Sequence, residues 1–299
     1  MHSTQPPYSK PPHCLSIQAY WQYLVTRLQD AGCDCARQEA TAILRHVTGQ
    51  STAAFFATLQ RALSPAELAT AEAFLERRLT REPLQHILGS VDFYGRTFLI
   101  DSRALVPRPE TELLVDAAVA MAADLPLAKG ALEFADVGTG SGCIAVTLAH
   151  ELPHARITAT DVSRAALELA QLNVAKHGVG SRVRLVESDL LSAVTGPLSA
   201  IVANLPYVRT SDISELQPEV SRFEPRRALD GGADGLDIIR RLVHRAPELL
   251  PPGGGLCLET GLGQASAVLS ILEAQQQWCA LRTQRDLQGI VRVVSARRT

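Results

Sequence analysis

Two short strings in this chain could do chemistry together. Asp136-Val137-Gly138-Thr139-Gly140-Ser141-Gly142 is a glycine-rich loop, and Asn204-Leu205-Pro206-Tyr207 is a polar turn with a stiff centre. Three glycines let the backbone take positive φ and approach a ligand closely. Asn204 offers a side-chain oxygen, Leu205 a backbone carbonyl and Tyr207 a ring face, while Pro206 stiffens the turn. Two acceptors aimed at the two N–H bonds of a planar amino group fix its nitrogen. They also stabilise the positive charge that develops there during attack. The Tyr207 ring can lie flat against the same group, because a ring face favours positive charge. These are the needs of an in-line methyl transfer from a sulfonium, whose own charge already activates the donor. Such chemistry requires no histidine and no metal, and the string contains neither.

The elements around these strings place them in one crevice. From Leu132 onward, apolar runs alternate with helical patterns. The runs predict strands over Leu132–Val137, Arg156–Thr160, Val183–Glu187, Ala200–Ala203 and Gly255–Glu259. Helices are expected over Ile144–Glu151, Arg164–His177 and Leu236–Leu250, with Ser163 as an N-cap and Gly178 just past the end of the second. Two further runs, Ala280–Arg285 and Val291–Ala296, read as a closing antiparallel hairpin. The alternation predicts an α/β class protein with a mostly parallel, doubly wound, Rossmann-like sheet. The glycine loop then leaves the first strand, Asp161 ends the second, and Asn204 leaves the fourth. All three face the crevice at the carboxyl ends of the strands.

The glycine spacing bears on the cofactor. A dinucleotide fingerprint, G-x-G-x-x-G, counted from Gly138 would need its third glycine at Cys143, whereas here the third is Gly142. A dinucleotide loop seats a pyrophosphate, while S-adenosylmethionine carries a methionine arm and no phosphate. The offset therefore favours S-adenosylmethionine over a dinucleotide oxidoreductase. The expected cofactor contacts are Gly138, Thr139, Gly140, Ser141, Gly142, Asp161, Asp189, Leu190 and Asn204. Asp161 suits the two ribose hydroxyls, Asp189 the adenine amino group, and Leu190 the adenine ring face.

The N-terminal part has a different texture. Residues 1–13 are rich in Pro and Ser and read as a disordered leader. Residues 14–85 carry helical stripes such as Ile17, Tyr20, Trp21, Leu24 and Leu28. Ser64-Pro65-Ala66-Glu67 reads as a capping box with proline at the first helical position. Residues 86–108 read as a β-hairpin linker, and residues 109–299 as the catalytic domain. Pro107-Arg108-Pro109-Glu110-Thr111-Glu112 opens a helix at that boundary, with its acidic pair in the first turn.

Composition excludes several classes. With 46% apolar and 20% charged residues, the chain can bury a proper core. Lys and Arg total 29 against 31 Asp and Glu, a formal charge of −2, which disfavours binding dominated by phosphate contacts. The six cysteines form no zinc spacing and read as reduced thiols of a cytoplasmic protein. No run is long enough for a membrane span, and no secretory signal is apparent.

The residues together resemble the HemK family of glutamine amide methyltransferases. The likeness runs from about Ser16 to the C-terminus and lies in Pro83–Gly89, Val106–Glu112, Asp136–Gly142, Asn204–Tyr207, Glu224–Gly235 and the tail around Gly289. The resemblance implies a small N-terminal helical domain and a seven-stranded methyltransferase domain using S-adenosylmethionine. It implies as acceptor the glutamine of the Gly-Gly-Gln motif in class I peptide chain release factors, a step that serves translation termination. Asn204, Leu205, Pro206 and Tyr207 would hold that glutamine, with Asn204 and Tyr207 catalytic, and the helical domain would help dock the factor. The family string is Asn-Pro-Pro-Tyr, and Leu205 departs from it. The role at that position uses a backbone carbonyl, which leucine also has. A ribosomal-protein glutamine methyltransferase is the near alternative. An adenine amino-methyltransferase on nucleic acid is a farther one, because the loop alone says only "planar amino group".

Overall fold

A computed structural model describes residues 15–127 and 130–299, so the leader expected over residues 1–13 lies outside the described residues. By its internal contacts the chain divides into two units, residues 1–88 and 89–299.

The first unit is helical. It contains α1 (Ile17–Asp30), α2 (Ala36–Thr48), α3 (Thr52–Ala57), α4 (Pro65–Leu79) and α5 (Leu84–Leu88). Ser16 caps α1 by accepting from the Ala19 amide. Ser64 and Glu67 form the reciprocal capping box at α4. The apolar stripes of α1, α2 and α4 meet in a core of Tyr20, Leu24, Leu28, Ile43, Leu44 and Leu75. The Arg78 guanidinium, almost fully buried on α4, pairs with Glu39 of α2 at 2.7 Å.

The second unit begins with a hairpin, β1 (Ser90–Phe93) and β2 (Arg96–Leu99). These residues fall in the segment expected to be a linker, yet Phe93 and Phe98 are buried in this unit's own core. Asn173 fastens the hairpin, its oxygen accepting from the Leu99 amide at 2.7 Å and its nitrogen donating to the Leu99 carbonyl at 2.9 Å. A single 3-10 turn over Pro109–Thr111 leads into α6 (Glu112–Ala122).

The sheet then alternates with helices: β3 (Leu132–Val137), α7 (Cys143–Glu151), β4 (Ala155–Asp161), α8 (Arg164–Lys176), β5 (Val183–Glu187) and β6 (Ala200–Ala203). After β6 come α9 (Pro218–Phe223), α10 (Asp237–Arg245), β7 (Gly255–Glu259), α11 (Ala265–Ala274), β8 (Trp278–Arg285) and β9 (Val291–Arg298). The strand order is β5-β4-β3-β6-β7-β9-β8. The strands β3 to β7 run parallel, while β9 lies antiparallel to both of its neighbours. The expected helix Leu236–Leu250 is shorter, because Pro247 lacks the amide that would continue it and the last turn tightens to 3-10. The pattern did not single out α11, whose short apolar run gives little periodicity to read.

Successive strand residues point to opposite faces. Phe134 and Val202 pack on one side with Leu114, Ile144 and Leu148. Ala135, Val137, Ile201 and Leu256 pack on the other with Ile239 and Leu272. The strand order reverses between β3 and β6, and a ligand crevice forms at such a switch point. Phe134 is fully buried at the centre of β3. Phe134→Ala is expected to destabilise the second unit by about 3–5 kcal/mol, read as the shift in its denaturant unfolding free energy.

Candidate active site

The register carries the site. Val137 pairs with Thr160 of β4 and with Ala203 of β6, and Ala203 pairs with Leu258 of β7. The next residue on each strand is therefore Asp161, Gly138, Asn204 and Glu259, one row across the carboxyl edge of the sheet.

The glycine loop turns sharply at this edge. Gly138, Gly140 and Gly142 have φ of +76°, +54° and +81°, a region that favours glycine. The Gly138 and Thr139 amides both donate to the Thr160 carbonyl, at 2.9 and 2.8 Å. Asn173 also donates to the Ser141 carbonyl at 2.8 Å, so one buried amide ties the hairpin to the loop. Asp136 stands beneath the turn, its Oδ2 accepting from Thr139 at 2.6 Å and from the Ala145 amide at 3.1 Å. Its Oδ1 is buried without a partner among the described residues, and burial pushes the carboxyl up to about 7. The sequence reading left Asp136 out of the site, since nothing in the motif says that one oxygen stays unpaired.

Asp161 folds back over the loop. Its oxygens accept from the Gly140 amide at 2.9 Å and from the Ser163 amide at 2.8 Å. Burial raises its pKa, opposed by these amides and by the Arg227 charge. Each oxygen keeps a second lone pair for a ligand hydroxyl. Asp189 is differently placed. Its side chain is 56% exposed and its Oδ2 accepts from Arg241 at 2.6 Å, an ion pair of small worth in water. Leu190 beside it is half-buried at φ +53°.

The Asn204 loop is braced from three directions. The Asn204 Nδ2 donates to the Thr111 hydroxyl at 3.2 Å, joining the loop to the proline-acidic segment. Among the described residues no donor reaches the Asn204 Oδ1 or the Leu205 carbonyl. The Leu205 side chain is 4% exposed and packs into the core beside Gly138. The departure from proline thus fills apolar space, and the carbonyl has no donor among the described residues. Pro206 and Tyr207 lie against the 231–235 loop. A Cβ on Gly231 would come within 2.7 Å of the Pro206 carbonyl, and one on Gly235 within 2.4 Å of the Tyr207 carbonyl. Gln264 donates to that Tyr207 carbonyl at 2.8 Å. Burial pushes the Tyr207 hydroxyl up to about 12.

Three further groups escaped the sequence reading. Glu224, buried, accepts from Arg108 at 2.7 Å and from the Val106 amide at 3.3 Å, which ties the two segments flanking the loop. Thr111 is buried beside Asn204. Glu259 ends β7, and burial raises its carboxyl to about 7 against the pull of the Thr111 and Tyr207 hydroxyls. Thr111 and Glu224 lie in segments that carry the family resemblance, but their roles, and Glu259 altogether, follow only from tertiary contact.

A seven-stranded sheet of this order, with a glycine loop after its first strand and an acidic end to the next, defines a class I methyltransferase fold. The PrmC N-terminal domain family matches residues 19–89 and the methyltransferase small domain family matches residues 113–218. A release factor glutamine methyltransferase of Geobacter sulfurreducens is 42% identical over 271 residues, covering 90% of this chain and 92% of that protein. One from Rhodospirillum rubrum is 40% identical, covering 91% and 82%. The chain belongs to the release factor glutamine methyltransferase family. Among solved structures, the hMettl16 catalytic domain in complex with MAT2A 3′UTR hairpin 1 shares the fold. The TM-score is 0.56 at 14% identity, covering 99% of this chain and 95% of that one.

Two expectations follow. Gly235→Ala pushes a methyl group into the Tyr207 carbonyl at a φ of +80°. We expect methyl-transfer turnover to fall by about 10-fold or more, with Gly180→Ala, where the nearest atom is 3.8 Å away, unchanged. The second concerns pH. Glu259 rises from 4.5 to about 7 on folding, so the fold holds a proton that the unfolded chain releases. That stabilisation is complete below pH 4.5 and is lost as pH rises through 7. Glu259→Gln should therefore gain about 3 kcal/mol of unfolding free energy over the wild type at pH 8, and almost nothing at pH 4. Denaturant titrations at the two pH values read the difference.

Proposed function

We propose that this chain transfers a methyl group from S-adenosylmethionine to the side-chain amide nitrogen of a glutamine in a peptide chain release factor. The observation that carries this reading is the state of the Asn204 loop. Its Nδ2 is pinned to Thr111, and its Oδ1 and the Leu205 carbonyl have no donor among the described residues. Two free acceptors beside a glycine loop fit the two N–H bonds of a primary amide.

The donor set fits the cofactor. Gly138 to Gly142 turn the backbone so that no side chain blocks the approach at the glycines, and Asp136 keeps a buried oxygen free for a cationic or N–H group. Asp161 would accept from the ribose hydroxyls. Leu190 would cover the adenine, and Asp189 would accept from its amino group with the Oδ1 that Arg241 leaves open. S-adenosylmethionine supplies a methyl group on a sulfonium, electrophilic without further activation.

The chain's own residues act on the acceptor. An amide nitrogen is a poor nucleophile because its lone pair is delocalised into the carbonyl. Asn204 Oδ1 and the Leu205 carbonyl each take one N–H, which orients the lone pair and stabilises the charge that grows on nitrogen. Tyr207 lies against the amide plane, and its neutral ring face favours that charge. After transfer the nitrogen releases one proton to water, because neither carbonyl acceptor is basic enough to keep it, and the remaining N–H stays hydrogen-bonded. The named relatives modify release factors, and 42% identity across 90% of the chain supports the same substrate here. The same relationship and the absence of a basic excess favour a cytoplasmic protein without direct nucleic-acid contact. Among the described residues, no helix is long and apolar enough to cross a membrane.

The test is methylation of a purified release factor with labelled donor, followed by mapping of the modified residue. A labelled glutamine is expected, and a factor that stays unlabelled while nucleic acid added in parallel takes up the label would overturn the reading. Asn204→Ala is expected to lower turnover about 100-fold or more while donor binding persists. Asp161→Ala is expected to weaken donor binding, and an unchanged dissociation constant would sink its assignment to the ribose.

A further inference from the structure

The row of residues along the carboxyl edge of the sheet has a direction. Gly138 and Asp161, which suit the donor, follow β3 and β4, while the acceptor loop at Asn204 follows β6. With a donor over β3 and β4, the backbone that carries the acceptor glutamine has to leave on the other side, across the ends of β7 and β9.

Past the end of β7 the chain is clamped to the acceptor loop. Gln264 accepts from the Gly261 amide at 3.0 Å and donates to the Tyr207 carbonyl at 2.8 Å. A Cβ on Gly261 would come within 3.0 Å of the Tyr207 Cδ2. The next residue, Leu262, is therefore fixed close to that ring, and it is 73% exposed. The antiparallel pairing of Glu259 with Val293 continues through the Thr260 amide, which donates to the Arg292 carbonyl at 2.8 Å. Leu262 thus comes beside Ile290. Leu262, Ala265, Ile290 and Val291 line a hollow of about 290 Å³, with Arg285 and Ser266 also on its wall.

The turn from β8 to β9 adjoins this hollow and is tightly bonded. The Asp286 Oδ1 accepts from the Gln288 and Ile290 amides, both at 2.9 Å, and its Oδ2 from Arg292 at 2.8 Å. The Gly289 amide donates to the Asp286 carbonyl at 2.9 Å. The turn holds Leu287 fully exposed. One exposed leucine is ordinary on a protein surface. Two of them on hydrogen-bonded turns around an apolar hollow form a preorganised surface, which a partner can cover at little cost in ordering.

We propose that this shelf of Leu262, Leu287, Ile290 and Val291 docks the release factor, seating an apolar side chain from the few residues that flank the acceptor glutamine. The inference rests on the reading of Asn204 to Tyr207 as the acceptor loop. An extended chain advances about 3.3 Å per residue, so a shelf one residue beyond the Tyr207 contact is within range of the first few positions beside the glutamine. The apolar lining selects an apolar side chain, and Arg285 on the wall disfavours a basic one.

The test measures kcat and KM for methylation of a purified release factor by the full chain, and the donor dissociation constant separately. Leu262→Ser and Leu287→Ser each raise KM for the factor about 5- to 20-fold, while kcat and donor affinity stay within about 2-fold of the wild type. Leu262→Met, which keeps the apolar volume, retains the wild-type KM. Leu172→Ser removes an exposed leucine from α8, which packs on β4 and β5, and changes none of the three values. Apolar residues within about three positions of the glutamine are then changed to serine in the factor. One of these changes raises KM for the wild type and adds nothing further in Leu262→Ser, the mark of a shared contact. An unchanged KM in Leu262→Ser or Leu287→Ser overturns the proposal. A loss confined to kcat or to donor affinity overturns it too, since that marks a disturbed loop. Strict additivity for every factor variant overturns the stated occupant. A wild type that labels no glutamine in the factor fails the functional reading before any variant is compared. Binding of a dye-labelled factor without donor, followed by fluorescence anisotropy, then decides docking by itself: equal dissociation constants for the wild type and Leu262→Ser overturn it.

Discussion

The parallel register of β3 with β6, Val137 beside Ala203, is the constraint on which the site depends. Both strands end at the same level, so the residues that follow them leave the sheet together. The same register runs outward to β4 and β7. It places Asp161, Gly138, Asn204 and Glu259 in one row, with neighbouring strands about 4.8 Å apart. A slip of one residue would turn Val137 and Ala203 to the opposite face and break both cores. The apolar packing on the two faces of the sheet therefore sets the spacing of the chemistry at its edge.

Several pieces of the chain meet this edge and stiffen it. The hairpin β1–β2 reaches the glycine loop through Asn173, which bonds both Leu99 and Ser141. The proline-acidic segment reaches the Asn204 loop through Thr111. The 224–235 stretch does two things at once. Glu224 grips Arg108 and the Val106 amide, and Gly231 and Gly235 let the backbone lie against Pro206 and Tyr207. Leu205 explains how a leucine serves where the family string has proline. Its side chain is anchored by core packing, so stiffness comes from burial and not from a ring.

The site is also where the fold is least comfortable. Asp136 and Glu259 each keep a buried oxygen without a partner, and burial holds both carboxyls near pH 7. The glycine loop spends three positive-φ residues within five positions. Unsatisfied buried polar atoms cost free energy unless a ligand completes them. At the carboxyl edge of the sheet, Asp136 and Glu259 each offer an oxygen that a bound group could complete.

Much of this was legible in the residues alone. Strand runs, the glycine spacing and the Asn204 string are local patterns, and local patterns report backbone conformation directly. The strands β3, β5, β6 and β7 begin and end where the apolar runs do. Other features were out of reach. Glu259 reads as the polar end of a strand, Thr111 as a residue in a helical first turn, and Asn173 as one polar position on an amphipathic helix. The Oδ2 of Asp189 is engaged by Arg241 from a distant helix, a partner that no local pattern names. The hairpin read as a connector, yet its two phenylalanines are core. The physical reason is common to all of these. Chain propensity and periodicity determine which elements form and which strings lie at their ends. Which side chains are buried together, and which hydroxyl gives its proton to which carboxyl, is decided only when elements distant in sequence are brought within hydrogen-bond distance.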